Sequence, residues 1–129
     1  MTYAYLDNFL GKRGERHVPS IRATTVHRGT HYRYRDESAY PAIAVRYHGT
    51  TVVTALANGE FILNSGGYCT ATTKKRIKAY SPAVLYQERH VWYLAPRNAD
   101  GSINHDRKAR VKFYDGMRID AAGNVLPRE

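Results

Sequence analysis

Asn58-Gly59 is the pair of residues that most constrains how this chain can fold. It stands between a β-branched run at 51–56 and Phe61-Ile62-Leu63. Asn and Gly both accept the positive φ of a tight primed turn, so the expectation is a hairpin closed by these two residues. The neighbouring sequence continues the theme. At 42–48, Ile43, Val45 and Tyr47 fall on one face, and His48-Gly49-Thr50 turns the chain back. Strands are also expected within 20–35, before a polar break at 36–38, and at 84–86 and 91–94 around a turn at 87–90. After a loop at 98–106, residues 110–114 alternate, Asp115-Gly116 turns, 117–120 returns, and Gly123-Asn124 leads to Val125-Leu126.

Two segments break the strand pattern. Residues 2–10 read as a helix, with Thr2 as cap, Tyr3, Leu6 and Leu10 as the buried stripe, and Gly11 as the stop. A charged connector follows at 12–17. Residues 74–80 read as a second helix capped by Thr72 or Thr73 and ended by Ser81-Pro82. Short turns between strands favour antiparallel pairing. The fold class is therefore α+β: one domain over 1–129, with a mostly antiparallel curved sheet or open barrel and two short helices. The central hairpin and basic helix occupy about 42–80 and the C-terminal strands about 84–126.

Charge narrows the partners. The 129 residues carry 20 Lys+Arg against 11 Asp+Glu, a net charge of +9. That excludes a DNA mimic and favours a polyanion, although RNA, acidic proteins and anionic lipid are also attracted to basic proteins. One cysteine, Cys69, closes no intrachain disulfide and cannot build a four-cysteine site, which points to a reducing compartment. No apolar run approaches the ~20 residues of a membrane span, and the N-terminus has no secretory pattern. No membrane association and a cytoplasmic location are expected.

Leu63-Asn64-Ser65-Gly66-Gly67-Tyr68-Cys69-Thr70-Ala71-Thr72-Thr73-Lys74-Lys75-Arg76-Ile77 carries the most information. The glycines permit a sharp turn or a close backbone approach. If Thr72 or Thr73 caps the helix, Lys74, Lys75 and Arg76 load its first turn, against the helix dipole. A bound phosphate would reverse that penalty. Equally, the glycines can be a plain strand-to-helix turn and the cations simply solvated. A P-loop is excluded, because Gly-x-x-x-x-Gly-Lys followed by Ser or Thr is missing. This segment, with His48-Gly49-Thr50-Thr51-Val52-Val53 and Asn58-Gly59, resembles a family of small bacteriophage and prophage proteins of unknown function. Its members share Leu-Asn-Ser-Gly-Gly-aromatic-x-Thr-x-Thr-Thr-Lys-x-Arg-Ile. Residues 5–11 and Val91-Trp92-Tyr93 also resemble that family, whereas the Arg/Tyr-rich stretch 28–40 is less typical of it. The resemblance implies a phage origin, hence the host bacterial cytoplasm, and a compact β-rich fold. It brings no chemistry with it.

Basic residues gather in three stretches: Arg13 to Arg35, Lys74 to Lys78, and Arg107 to Lys112. Tyr32 and Tyr34 alternate with Arg33 and Arg35, which on a strand sends the two types to opposite faces. Tyrosines packed inward with arginines in solvent is the simpler arrangement; a bent or edge strand would let both meet a nucleic acid. No helix-turn-helix, zinc-finger or basic-zipper pattern is present. His27 and His31 lack the companions of a metal site, and the carboxylates lie mostly in turns. Cys69 has no designated His base and reads as a small buried side chain. No enzyme, metal or cofactor is expected.

The expectation is a non-enzymatic protein that binds nucleic acid, preferably single-stranded DNA, and supports phage replication or transcription. Lys74, Lys75, Arg76 and Lys78 would meet phosphates with help from Thr72 and Thr73. Arg33, Arg35, Lys108 and Arg110 would extend the track, Tyr32, Tyr34 and Tyr68 would stack bases, and a homo-oligomer would lengthen the surface. The alternative is a phage protein that binds and redirects a host polymerase, nuclease or defence complex.

Overall fold

The computed structural model describes residues 2–19, 21, 23–33, 38–67 and 69–127, with the side chains of 32, 33 and 38 outside that description. The elements run α1 (Tyr3–Leu10), β1 (Glu15–His17), β2 (Thr24–Arg33), β3 (Ser38–Tyr47), β4 (Thr50–Leu56), β5 (Phe61–Leu63), α2 (Ala71–Tyr80), β6 (Leu85–Glu88), β7 (Val91–Leu94), β8 (Val111–Lys112) and β9 (Met117–Ile119). A six-stranded sheet has the order β1-β2-β3-β4-β5-β9, and a three-stranded sheet the order β6-β7-β8. Every strand pairing among the described residues is antiparallel. The α+β class holds, and the sheets do not close into a barrel.

Register explains the core. Val26, Val45, Val53, Leu63 and Met117 face one another in a row across five strands. Ile43, Ala55, Phe61 and Ile119 form the next row on the same face. All nine are buried, and both helices cover them through Leu6, Leu10, Ile77 and Tyr80. Leu85, Trp92 and Leu94 of the smaller sheet join the same cluster. Each large side chain so buried stabilises the fold by about 1.5–3 kcal/mol. The larger sheet is curled. His31 on β2 and Arg118 on β9 line one cavity of about 380 Å³, although in a flat sheet those strands would stand ~19 Å apart at ~4.8 Å per strand.

Several expectations change. Within the charged connector, residues 15–17 form an edge strand on β2. β3 begins at Ser38, inside the expected polar break. Asn58-Gly59 does close the β4–β5 hairpin, but not as a two-residue primed turn. Gly59 has φ +95° and Asn58 is not in the left-handed region. The Gly59 N–H donates to Leu56 O at 3.0 Å, the Leu56 N–H to Glu60 O at 2.9 Å, and Asn58 Oδ1 accepts from the Glu60 N–H at 3.0 Å. That is a type I turn followed by a left-handed glycine, the three-residue hairpin loop. The primed turns lie elsewhere: His48-Gly49 (φ 52° and 82°) between β3 and β4, and Arg89-His90 (φ 50° and 67°) between β6 and β7. Asp115-Gly116 turns the chain, but 110–114 and 117–120 do not pair with each other. β8 joins β7 and β9 joins β5, so the turn carries the chain between sheets. Among the described residues, no helix is long and apolar enough to cross a membrane.

Candidate nucleic-acid interface

α2 starts earlier than its threonines predict. Thr70 is the N-cap, its hydroxyl accepting from the Thr73 N–H at 3.2 Å. Thr73 is buried and its hydroxyl lies 3.0 Å from that of Thr70. Thr73, Ile77 and Tyr80 form the buried stripe at helical spacing. The first turn is therefore Ala71-Thr72-Thr73, and Lys74 comes after it. The dipole effect decays within the first turn, so the argument from misplaced cations no longer points to a bound phosphate.

The glycine loop is also not a phosphate cradle. The Gly66 N–H donates to Asn64 Oδ1 at 2.7 Å and the Gly67 N–H to Ser65 Oγ at 3.2 Å. Both amides are engaged within the loop itself. Asp115 Oδ1 accepts from the Ser65 N–H and from its hydroxyl, each at 2.7 Å. The Asn64–Gly67 turn is thus a bracket that ties the start of the helix segment to the crossing between the sheets. Cys69, expected to be buried, is exposed, with its Sγ 3.7 Å from Ser65 Oγ.

What remains on α2 is a cationic surface. Thr72, Lys75 and Lys78 are exposed, and Lys74 and Arg76 are half-buried. The helix contains no acid, and among the described residues Lys74, Lys75 and Lys78 form no ion pair. The Arg76 guanidinium lies 5.5 Å from the centre of the Tyr47 ring, and Tyr47 lines a cavity of about 350 Å³ together with His48, Thr50 and Ser65.

Elsewhere several arginines are already engaged. Arg28 pairs with the Asp7 carboxylate and donates to the Gly11 carbonyl at 2.7 Å, fixing α1 on the sheet. Arg110, expected to meet phosphate, donates to Glu88 at 2.9 Å and stacks 3.6 Å from the centre of the Tyr93 ring. The hydrogen bond from Arg110 holds the Glu88 carboxyl below its usual range, and Arg107 at 3.4 Å adds to the effect. Lys108 is exposed in the turn that Asp106 caps.

Two of the three basic stretches nevertheless converge. Lys78 from α2 and Arg107 from the 97–110 loop line one cavity of about 380 Å³, with Tyr86 on its wall. Tyr86 was not singled out from the sequence. Only the observed register singles it out: Tyr86 pairs with Tyr93 across the Arg89-His90 turn and Tyr93 with Lys112, so tyrosines and a cation share one face. Of the remaining stretch, the backbone of Tyr32 and Arg33 forms the last two residues of β2, and none of its described residues lines this cavity. Tyr34, Arg35 and Tyr68 lie outside the described residues. Among the described residues, no group of three or more His, Cys, Asp or Glu side chains is placed to hold a metal ion.

A family model described as Kyanoviridae Gp96 protein matches residues 20–120. No curated protein and no solved structure matches the chain.

Proposed function

The chain belongs to the Kyanoviridae Gp96 protein family, a family of phage proteins, and from that premise we propose that it is a non-enzymatic nucleic-acid-binding protein. It prefers single-stranded DNA and serves phage replication or transcription in the host cytoplasm. The observation that supports this most is the cationic surface of α2, where Lys75 and Lys78 are exposed and Lys74 and Arg76 half-buried. Lys74, Lys75, Arg76 and Lys78 stand on one ten-residue helix without an acid, while the chain's described acids lie against other residues or in turns. Lysines left unpaired in this way are available to replace the counterions of a phosphate backbone.

Fluorescence anisotropy with a labelled single-stranded oligonucleotide tests it. Affinity falls as salt rises, by about 0.7 log units per log unit of salt for each phosphate neutralised. Lys74→Glu with Lys75→Glu removes most of the binding and flattens that slope. No binding at low salt overturns the reading. A host-protein partner that survives nuclease treatment would then be the better account of the basic face.

A further inference from the structure

The proposed strand-binding role leaves open what a polyanion meets beyond the lysines, and this inference rests on that role. The cavity shared by Lys78 and Arg107 is more than a charged dent. Leu85, Ala95 and Ile103 give it an apolar floor, Tyr86 forms part of its wall, and the two cations stand at it from different elements. Its volume, about 380 Å³, lies at the lower end of small-ligand pockets, which run from about 300 to 1,000 Å³. It suits one nucleotide and not a stacked duplex.

The walls are already built. On the loop side, the Arg97 N–H donates to Asn124 Oδ1 at 2.7 Å, and Arg97 bridges to Ile103. The Asn98 N–H donates to the Ser102 carbonyl at 2.8 Å, and Asp100 accepts from the Ser102 N–H and hydroxyl at 2.9 and 2.6 Å. On the sheet side, the rings of Tyr86 and Tyr93 lie 5.9 Å apart, and Arg110 covers Tyr93. Glu88, the acid at the cavity, is held by Arg107 and Arg110 at 3.4 and 2.9 Å, so it does not leave the cavity anionic. A site ordered before the ligand arrives loses less affinity to ordering.

We propose that this groove accepts a single unstacked nucleotide of the bound strand, its base against Tyr86 and the apolar floor and its phosphate between Lys78 and Arg107. Bases of a single strand are free to leave the stack, and aromatic side chains receive them whatever their identity. The lysines of α2 would then hold the backbone on either side, and the groove would supply the preference for single strands over duplex.

The test uses the full chain, a ten-nucleotide thymidine strand and a ten-base-pair duplex. Tyr86→Leu keeps apolar bulk but removes the aromatic face; it weakens single-strand binding about ten-fold, leaves duplex binding unchanged and leaves the salt slope unchanged, because the lost contact carries no charge. Arg107→Ala, at a side chain that is 75% exposed, lowers the slope instead. Irradiating a strand that carries 5-iodouracil places an adduct on Tyr86 or a neighbouring groove residue, a readout independent of either variant's stability. If the wild-type chain binds the strand but Tyr86→Leu does so equally well and no adduct maps to the groove, the proposal is overturned while the basic-helix reading stands. If the wild-type chain binds no strand at low salt, both fall together.

Discussion

A methyl group added at Gly66 would sit 2.5 Å from Thr50 Cγ2, on a backbone with φ +63°. Gly67 next to it has φ +84° but open space around the position. The two glycines therefore answer different demands. Gly67 is needed for its backbone angle alone, whereas Gly66 must also leave room for the β3–β4 turn to press against the bracket. Gly67→Ala is expected to cost about 1–2 kcal/mol for the left-handed conformation. Gly66→Ala adds an overpacking penalty, for a total of about 2–4 kcal/mol. Denaturant midpoints separate the cases, and Thr50→Ser in the Gly66→Ala background should recover much of the second loss by removing the methyl. Equal losses at the two glycines would show that Thr50 swings aside freely, and that the close approach is not what requires glycine.

At the scale of elements, the turns show how far local sequence can be read. Arg89 and His90 occupy both central positions of a primed turn with φ 50° and 67°, where Asn-Gly is the favoured pair. Replacing them by Asn and Gly should raise the unfolding midpoint, with a gain of about 1 kcal/mol from relieved left-handed strain. An unchanged midpoint would mean that the side chains of Arg89 and His90 already offset that strain. The Asn58-Gly59 turn explains why the sequence was legible only in part. Asn58-Gly59 marked a hairpin correctly because glycine's left-handed preference is local. Its loop length was not local, being set by the register that pairs Ala55 with Phe61. The start of α2 was missed for a related reason. Thr70, Thr72 and Thr73 all make chemically adequate caps, and only the burial of Thr73, Ile77 and Tyr80 against the sheet selects Thr70. The separation of β8 from β9 is less legible still, because Asp115-Gly116 looks like any hairpin turn until Asp115 is seen to hold Ser65 fifty residues away. The basic helix itself was legible, since a run of cations needs no partner to be recognised. Tyr86 and Arg107 were legible only separately, as a strand tyrosine and the start of a basic stretch, because their meeting with Lys78 depends on how α2, β6 and the 97–110 loop come together.

Across the whole molecule, the excess of positive charge is unevenly held. Asp7, Glu60 and Glu88 each neutralise an arginine, and Asp115 closes the loop bracket, yet no such acid serves α2. Lys74 and Lys78 are four apart on one helix, a repulsive spacing for like charges. A chain shaped by stability alone would place a glutamate in this helix. Lys74→Glu creates a Glu-to-Lys pair with Lys78 in the better orientation, and the expected gain is about 0.5 kcal/mol, mostly from removing one repulsion and adding one attraction. The same change is expected to weaken oligonucleotide binding several-fold and to lower the salt slope by about 0.7 for a lost phosphate contact. Thermal unfolding and anisotropy on the same sample check both halves. Opposite signs would mean that the lysine is retained for an anion and not for the fold, because a variant that is more stable and binds less cannot owe its lost binding to unfolding. A loss of stability would instead place Lys74, which is half-buried, among the groups that pack the helix on the sheet, and the basic face would then lose its strongest claim to be a binding surface.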